Sequence, residues 1–112
     1  NLKKIDGTAG SNVIENLSDI APDLARYIIE FAFGQIYERP GLSLQERELL
    51  TLSSLLTAGG CEAQLQVHIN AALHVGIKEE KIIEAFLHCI PYTGFPKVLN
   101  AVAVAGQIFS GK

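Results

Sequence analysis

Apolar residues recur at helical spacing through most of this chain, and no stretch shows the strict apolar–polar alternation of a half-buried strand. The pattern predicts an all-α fold, a compact bundle of about six helices. A short first helix is expected over about residues 10–18. The second starts with Pro22 in its first turn and carries Leu24, Ile28, Ile29, Phe31, Ala32 and Ile36. It stops before Arg39, which precedes Pro40 and Gly41. Ser43 then reads as an N-cap, and Glu46 three residues on completes a capping box for a third helix over Leu44–Ala58. Gly59 and Gly60 end that helix. A fourth runs from near Cys61 to Gly76, and a fifth from about Lys78 to just before Pro91. Residues 92–96 are expected as a tight connection into a last helix with Pro96 in its first turn and Ala101, Ala103 and Ala105 along it. Small residues there allow close helix approach.

The polar positions on these helices carry the candidate chemistry. On a wheel advancing about 100° per residue with Cys61 at 0°, Gln64 falls near 300° and His68 near 340°. Leu65, Ile69 and Ala72 share that side. Gln66, Asn70 and His74 fall on the opposite, solvated face. Cys61, Gln64 and His68 therefore form a polar strip facing inward, where an unsatisfied group costs about 1–3 kcal/mol. Either the strip is structural, with a small buried thiol and a histidine on a backbone carbonyl, or it lines a pocket. In the second case Cys61 feels the positive end of the helix dipole and gains thiolate character. His68 is then placed to exchange protons with a ligand.

Glu48 is the last charge on the third helix, and none follows until Glu62. It sits where exposed helix becomes buried helix, as an ordinary first-turn carboxylate or as a partly buried one working with His68. Arg47 is a solvated neighbour or an intersubunit ion-pair partner. Tyr92 is a boundary aromatic or a hydroxyl at the pocket. His88 shares a face with Lys81 and Glu84 and reads as solvated, and Cys89 as core. The histidines and cysteines lack the spacing of a metal site, so neither metal nor cofactor is expected.

With 112 residues the chain suits a single domain, 1–112. A net charge of −3 with no basic run points away from nucleic acid and anionic membranes. The apolar tracts break before the roughly 18 residues a membrane span needs. Two cysteines do not make a disulfide framework, so reduced thiols in the cytoplasm are expected.

The run from Phe31 to Ala101, with "RPGLSLQERELLTL" followed by "HINAALHVGIKEEKIIEAFLHCIPYTGFPKVLNA", resembles the carboxymuconolactone decarboxylase family. The resemblance implies an all-helical fold assembling as a homo-oligomer, a trimer or hexamer, that acts on a small-molecule substrate. It spans two branches. One is a cofactor-free decarboxylase of aromatic breakdown. The other is alkyl hydroperoxidase D-like, with a C-x-x-C pair, a following histidine and a glutamate on the preceding helix. His68 matches the histidine, Glu48 the glutamate and Cys61 the first cysteine, while Gln64 stands where the second sulfur would be. A dithiol cycle needs two sulfurs within bonding reach. The expectation is thus decarboxylase-like acid–base chemistry on a small carboxylated lactone or similar metabolite. His68, Glu48 and Cys61 are the catalytic candidates, and Gln64, Arg47 and Tyr92 the substrate-binding ones. A peroxidase and a non-catalytic oligomeric binder are the alternatives.

Overall fold

A computed structural model of the chain describes residues 9–111; residues 1–8 and 112 of the expected single domain lie outside the described residues. All regular structure among the described residues is helical. Helix α1 spans Ala9–Ser18 and α2 spans Pro22–Tyr27, continuing without a break into a π-helical segment, Ile28–Ile36. Then come α3 (Leu44–Ala58), α4 (Glu62–His74), α5 (Glu79–His88), the single turn α6 (Ile90–Thr93) and α7 (Phe95–Phe109). The expected bundle of about six helices is observed. The α6 turn replaces part of the expected connection after Pro91.

The start of α3 follows from its sequence. Ser43 Oγ accepts from the Glu46 amide at 3.0 Å, and Glu46 Oε1 accepts from the Ser43 amide at 2.8 Å. Gly59, at φ +77°, ends the helix in backbone space that a side chain disfavours. Gly76, at φ +95°, follows the end of α4 in the same way. Two long side chains cap carbonyls across the bundle: Gln45 donates to Val75 O and Lys97 Nζ donates to Thr57 O.

The main core lies among α3, α4, α5 and α7. Leu52 and Leu56 of α3 meet Leu65 and Ile69 of α4, with Ile82 and Phe86 of α5 closing the space. Ala101 and Ala105 of α7 are fully buried, and their small size lets α7 lie close against its neighbours. A second, smaller cluster joins the π segment to the other side of α4, where Phe33 packs with Ala71. Helix α1 packs on both α2 and α4. No helix among the described residues is long and apolar enough to cross a membrane.

The second helix is not the uniform α-helix its spacing predicts. The Tyr37 amide donates to Ala32 O at 2.9 Å, a bond that closes one residue later than an α-turn. Gly34 permits this coil: a Cβ there would meet the Ile29 carbonyl oxygen at 3.0 Å. Long π segments are rare, and π turns often mark functional sites. This one borders a cavity.

Candidate functional site

A cavity of about 600 Å³ opens between the α1–α2 side of the molecule and the α3–α4 pair. Among the described residues its wall from α1, α2 and the start of the π segment is apolar, built from Val13, Ile14, Leu17, Leu24 and Ile28. The opposite end carries Tyr37, Thr51, Gln64 and His68.

Below that end lies Glu48, fully buried with 0% exposure. It is one helical face with Leu52 and Leu56, at i, i+4 and i+8 on α3, so the stripe that buries the leucines buries the carboxylate as well. The sequence leaves Glu48 as an ordinary first-turn carboxylate or a partly buried one working with His68; complete burial excludes the first and goes further than the second. A buried carboxylate requires a partner. His68 supplies one, with Nδ1 at 2.9 Å from Glu48 Oε1. In the tautomer with Nδ1–H donating to the carboxylate, Nε2 is left to accept and return a proton. The His68 side chain is 19% exposed and lines the cavity, while His74 on the same helix faces out, as the helical wheel predicts. Among the described residues no group meets Glu48 Oε2 in full hydrogen-bond geometry, while the Tyr37 hydroxyl lies near enough to interact with the carboxylate.

Tyr37 and Thr51 complete the polar end, and sequence reading alone passes over both. Their hydroxyl oxygens are 2.6 Å apart, and Thr51 Oγ1 also reaches the Arg47 carbonyl at 2.9 Å. With Thr51 donating to Arg47 O, the phenol donates to Thr51. With Thr51 turned towards the phenol, the Tyr37 O–H donates to the Glu48 carboxylate or into the cavity. Burial first, and then the charge of the Glu48 carboxylate and a hydrogen bond to it, push the Tyr37 hydroxyl above the ordinary phenol range; the Thr51 hydrogen bond and the Arg47 charge oppose this without cancelling it. Tyr37 is thus a neutral donor throughout the physiological range.

The other sequence-predicted site residues divide. Gln64 lines the cavity one turn before His68. Cys61 is half-buried at the N-cap of α4, its thiol 3.5 Å from Gly59 O, and is not among the cavity's lining residues. Arg47 donates through Nη2 to Arg39 O at 2.8 Å, and its Nε is buried without a protein partner. It stands behind the lining rather than in it. Tyr92 is 80% exposed on α6 beside the His88 ring and lies away from the cavity, because the α6 turn carries it outward. Cys89 is buried in the core and His88 is exposed, as expected. No three His, Cys, Asp or Glu side chains among the described residues gather in a metal-binding group.

The fold and site together define an all-helical protein whose carboxylate–imidazole pair faces an apolar cavity. The chain belongs to the carboxymuconolactone decarboxylase family, whose model matches residues 22–107. It is 35% identical over 96 residues to a 4-carboxymuconolactone decarboxylase of Acinetobacter baylyi, covering 86% of this chain and 71% of that protein. It is also 35% identical over 99 residues to the nitrosuccinic acid decarboxylase npaB of Metarhizium robertsii, covering 85% and 68%. An uncharacterized 15.0 kDa protein of Paracoccus denitrificans is 25% identical over 95 residues. At the level of the family, these similarities support a decarboxylase-like function.

Proposed function

We propose that this protein is a decarboxylase of small carbonyl compounds that carry a carboxylate, carboxylated lactones among them. The observation that carries the reading is the buried Glu48–His68 pair, 2.9 Å apart, with the histidine open to the cavity. When the bond to the carboxylate breaks, its electron pair stays on the adjacent carbon and spreads into the substrate's own carbonyl. The substrate is therefore its own electron sink. Carbon dioxide leaves, and the enolate takes one proton at carbon. His68 first takes a proton from water at Nε2, delivers it from there to the carbon and so returns to the neutral ring, while Glu48 holds the ring in place. Tyr37, with its neutral O–H, is placed to stabilise the enolate oxygen. The peroxidase alternative lacks its second sulfur, since Gln64 occupies that position.

The test is carbon dioxide release from a panel of β-keto acids and carboxylated lactones in deuterated water. The expected result is accelerated release, with one deuterium added at the carbon that lost the carboxylate. No acceleration over the spontaneous rate for any member, together with steady reduction of an alkyl hydroperoxide by a dithiol, would return the site to the peroxidase reading.

The same reading includes assembly into a homo-oligomer, a trimer or hexamer. Its support is the exposure of large apolar residues along the end of α2 and the π segment, where Tyr27, Ile29, Phe31 and Ile36 are 39–57% exposed. Large apolar residues exposed close together along the chain mark interaction surfaces. Light scattering at micromolar concentration is expected to report a multiple of the 12.1 kDa subunit; a monomer would remove this part of the proposal.

A further inference from the structure

The polar end of the cavity sets an electrostatic problem for a ligand that carries a carboxylate. None of the described lining residues is Lys or Arg. Arg47 stands behind the lining, with Nη2 donating to Arg39 O at 2.8 Å. Beneath the lining lies the fully buried Glu48 carboxylate. A second carboxylate brought beside it gives up water and meets repulsion, which burial strengthens. Tyr37, Thr51 and Gln64 can donate hydrogen bonds to it but supply no charge. One group at this end can change its charge to suit. The His68 ring lines the cavity and holds Glu48 Oε1 through Nδ1 at 2.9 Å, which leaves Nε2 for a proton. A proton taken there from water makes the ring a cation between two carboxylates, one beneath it and one in the cavity. The total charge of this end is then the same with ligand as without it. Other titratable groups stand apart. The Tyr37 hydroxyl stays neutral, Cys61 turns its thiol to Gly59 O, and Cys89 is buried in the main core. Every Asp, Glu, Lys and Arg of α1, α2, the π segment, α4, α5 and α7 is exposed, as are His74 and His88.

We infer that a carboxylate ligand and a proton enter the site together, so that binding of the carboxylate loads His68 at Nε2. The inference rests on the decarboxylase reading for the carboxylate and adds to it the moment at which the proton arrives. Solvent supplies the proton on binding, before the bond to carbon dioxide breaks. The acid that later protonates the enolate is thus charged by its own substrate, and a neutral guest leaves it uncharged.

Calorimetry of the intact protein in buffers of different ionisation enthalpy counts the protons exchanged on binding. The probe is cyclopentanecarboxylate, which has no activating carbonyl and so keeps its carboxylate. Cyclopentanecarboxamide is the uncharged control. At about pH 8.5 an ordinary imidazole is neutral. There the carboxylate is expected to bring close to one proton per site from solvent, and to bind about tenfold more weakly with each further pH unit. The amide is expected to bring none and to bind independently of pH. His68→Asn keeps a donor for Glu48 but has no second ring nitrogen. It is expected to take up no proton and to bind the carboxylate about tenfold more weakly or worse, with amide binding retained. Carboxylate binding without proton uptake would overturn the inference and assign the counter-charge to Arg47. Uptake that persists in His68→Asn, equal uptake with the amide, or a site that binds the amide and refuses the carboxylate would overturn it as well. None of these readouts needs turnover. Decarboxylation of a β-keto acid with no proton taken up on binding sinks this inference alone. Proton-linked carboxylate binding with no decarboxylation of any β-keto acid or carboxylated lactone sinks the decarboxylase reading instead.

Discussion

His68→Asn is expected to lower turnover by about 10²- to 10⁴-fold while leaving the subunit folded. The asparagine amide nitrogen occupies nearly the position of Nδ1, so it can still donate to Glu48 Oε1. What it lacks is the second ring nitrogen, the atom that returns a proton to the substrate carbon. The fold survives because the buried carboxylate keeps its partner. His68→Ala removes both functions at once. It strands a fully buried Glu48 without compensation and is expected to cost a further 3–5 kcal/mol or so of stability. Comparing kcat/KM with urea denaturation for the two variants separates proton transfer from structural pairing. His68→Asn retaining activity within about threefold of the parent would deprive His68 of its role in proton transfer.

Phe86→Ala is expected to lose about 3–5 kcal/mol of stability, a large share of the roughly 5–15 kcal/mol that holds a typical domain together. Phe86 is fully buried where α5 meets the core, and removing its ring leaves a void that its rigid neighbours fill incompletely. It does not line the cavity, so surviving folded protein should keep its ligand selectivity. Denaturation is compared at one protein concentration, because assembly would make apparent stability concentration-dependent. A loss below about 1 kcal/mol would mean the α5–core contact packs far more loosely than its burial indicates.

Much of the scaffold was legible because local signals agreed with one another. The Ser43–Glu46 box, the run without charge after Glu48 and the glycines at 59 and 76 fixed the bounds of α3 and the end of α4 closely. The wheel for α4 separated His68 from His74 correctly because that helix is regular. Burial of Glu48 was also readable: it shares its i, i+4, i+8 row with Leu52 and Leu56. Charge type weighed more than register in the sequence reading, and so the depth was underestimated. Tyr37 was hidden for a different reason. Its place depends on a π register that hydrophobic spacing does not report, with Gly34 as the one local clue. Cys61 drew notice through its position at a helix start, yet the N-cap geometry turns its thiol to Gly59 O, and helical angles do not describe a residue just outside the helix.

The π segment, Ile28–Ile36, makes the place of the Tyr37 hydroxyl a matter of chain length as much as of residue choice. Each of its turns closes one residue late, so loss of a single residue there would let the coil relax to an α-helix. A deletion or insertion that the coil did not absorb in this way would turn everything beyond by about 100°, carrying the phenol away from Thr51. Within a lineage, one codon gained or lost near Gly34 would thus add or remove a donor at the cavity without exchanging any residue that lines it. Substrate range could drift among descendants by indel, while the buried acid–base pair on the neighbouring helices stayed unchanged.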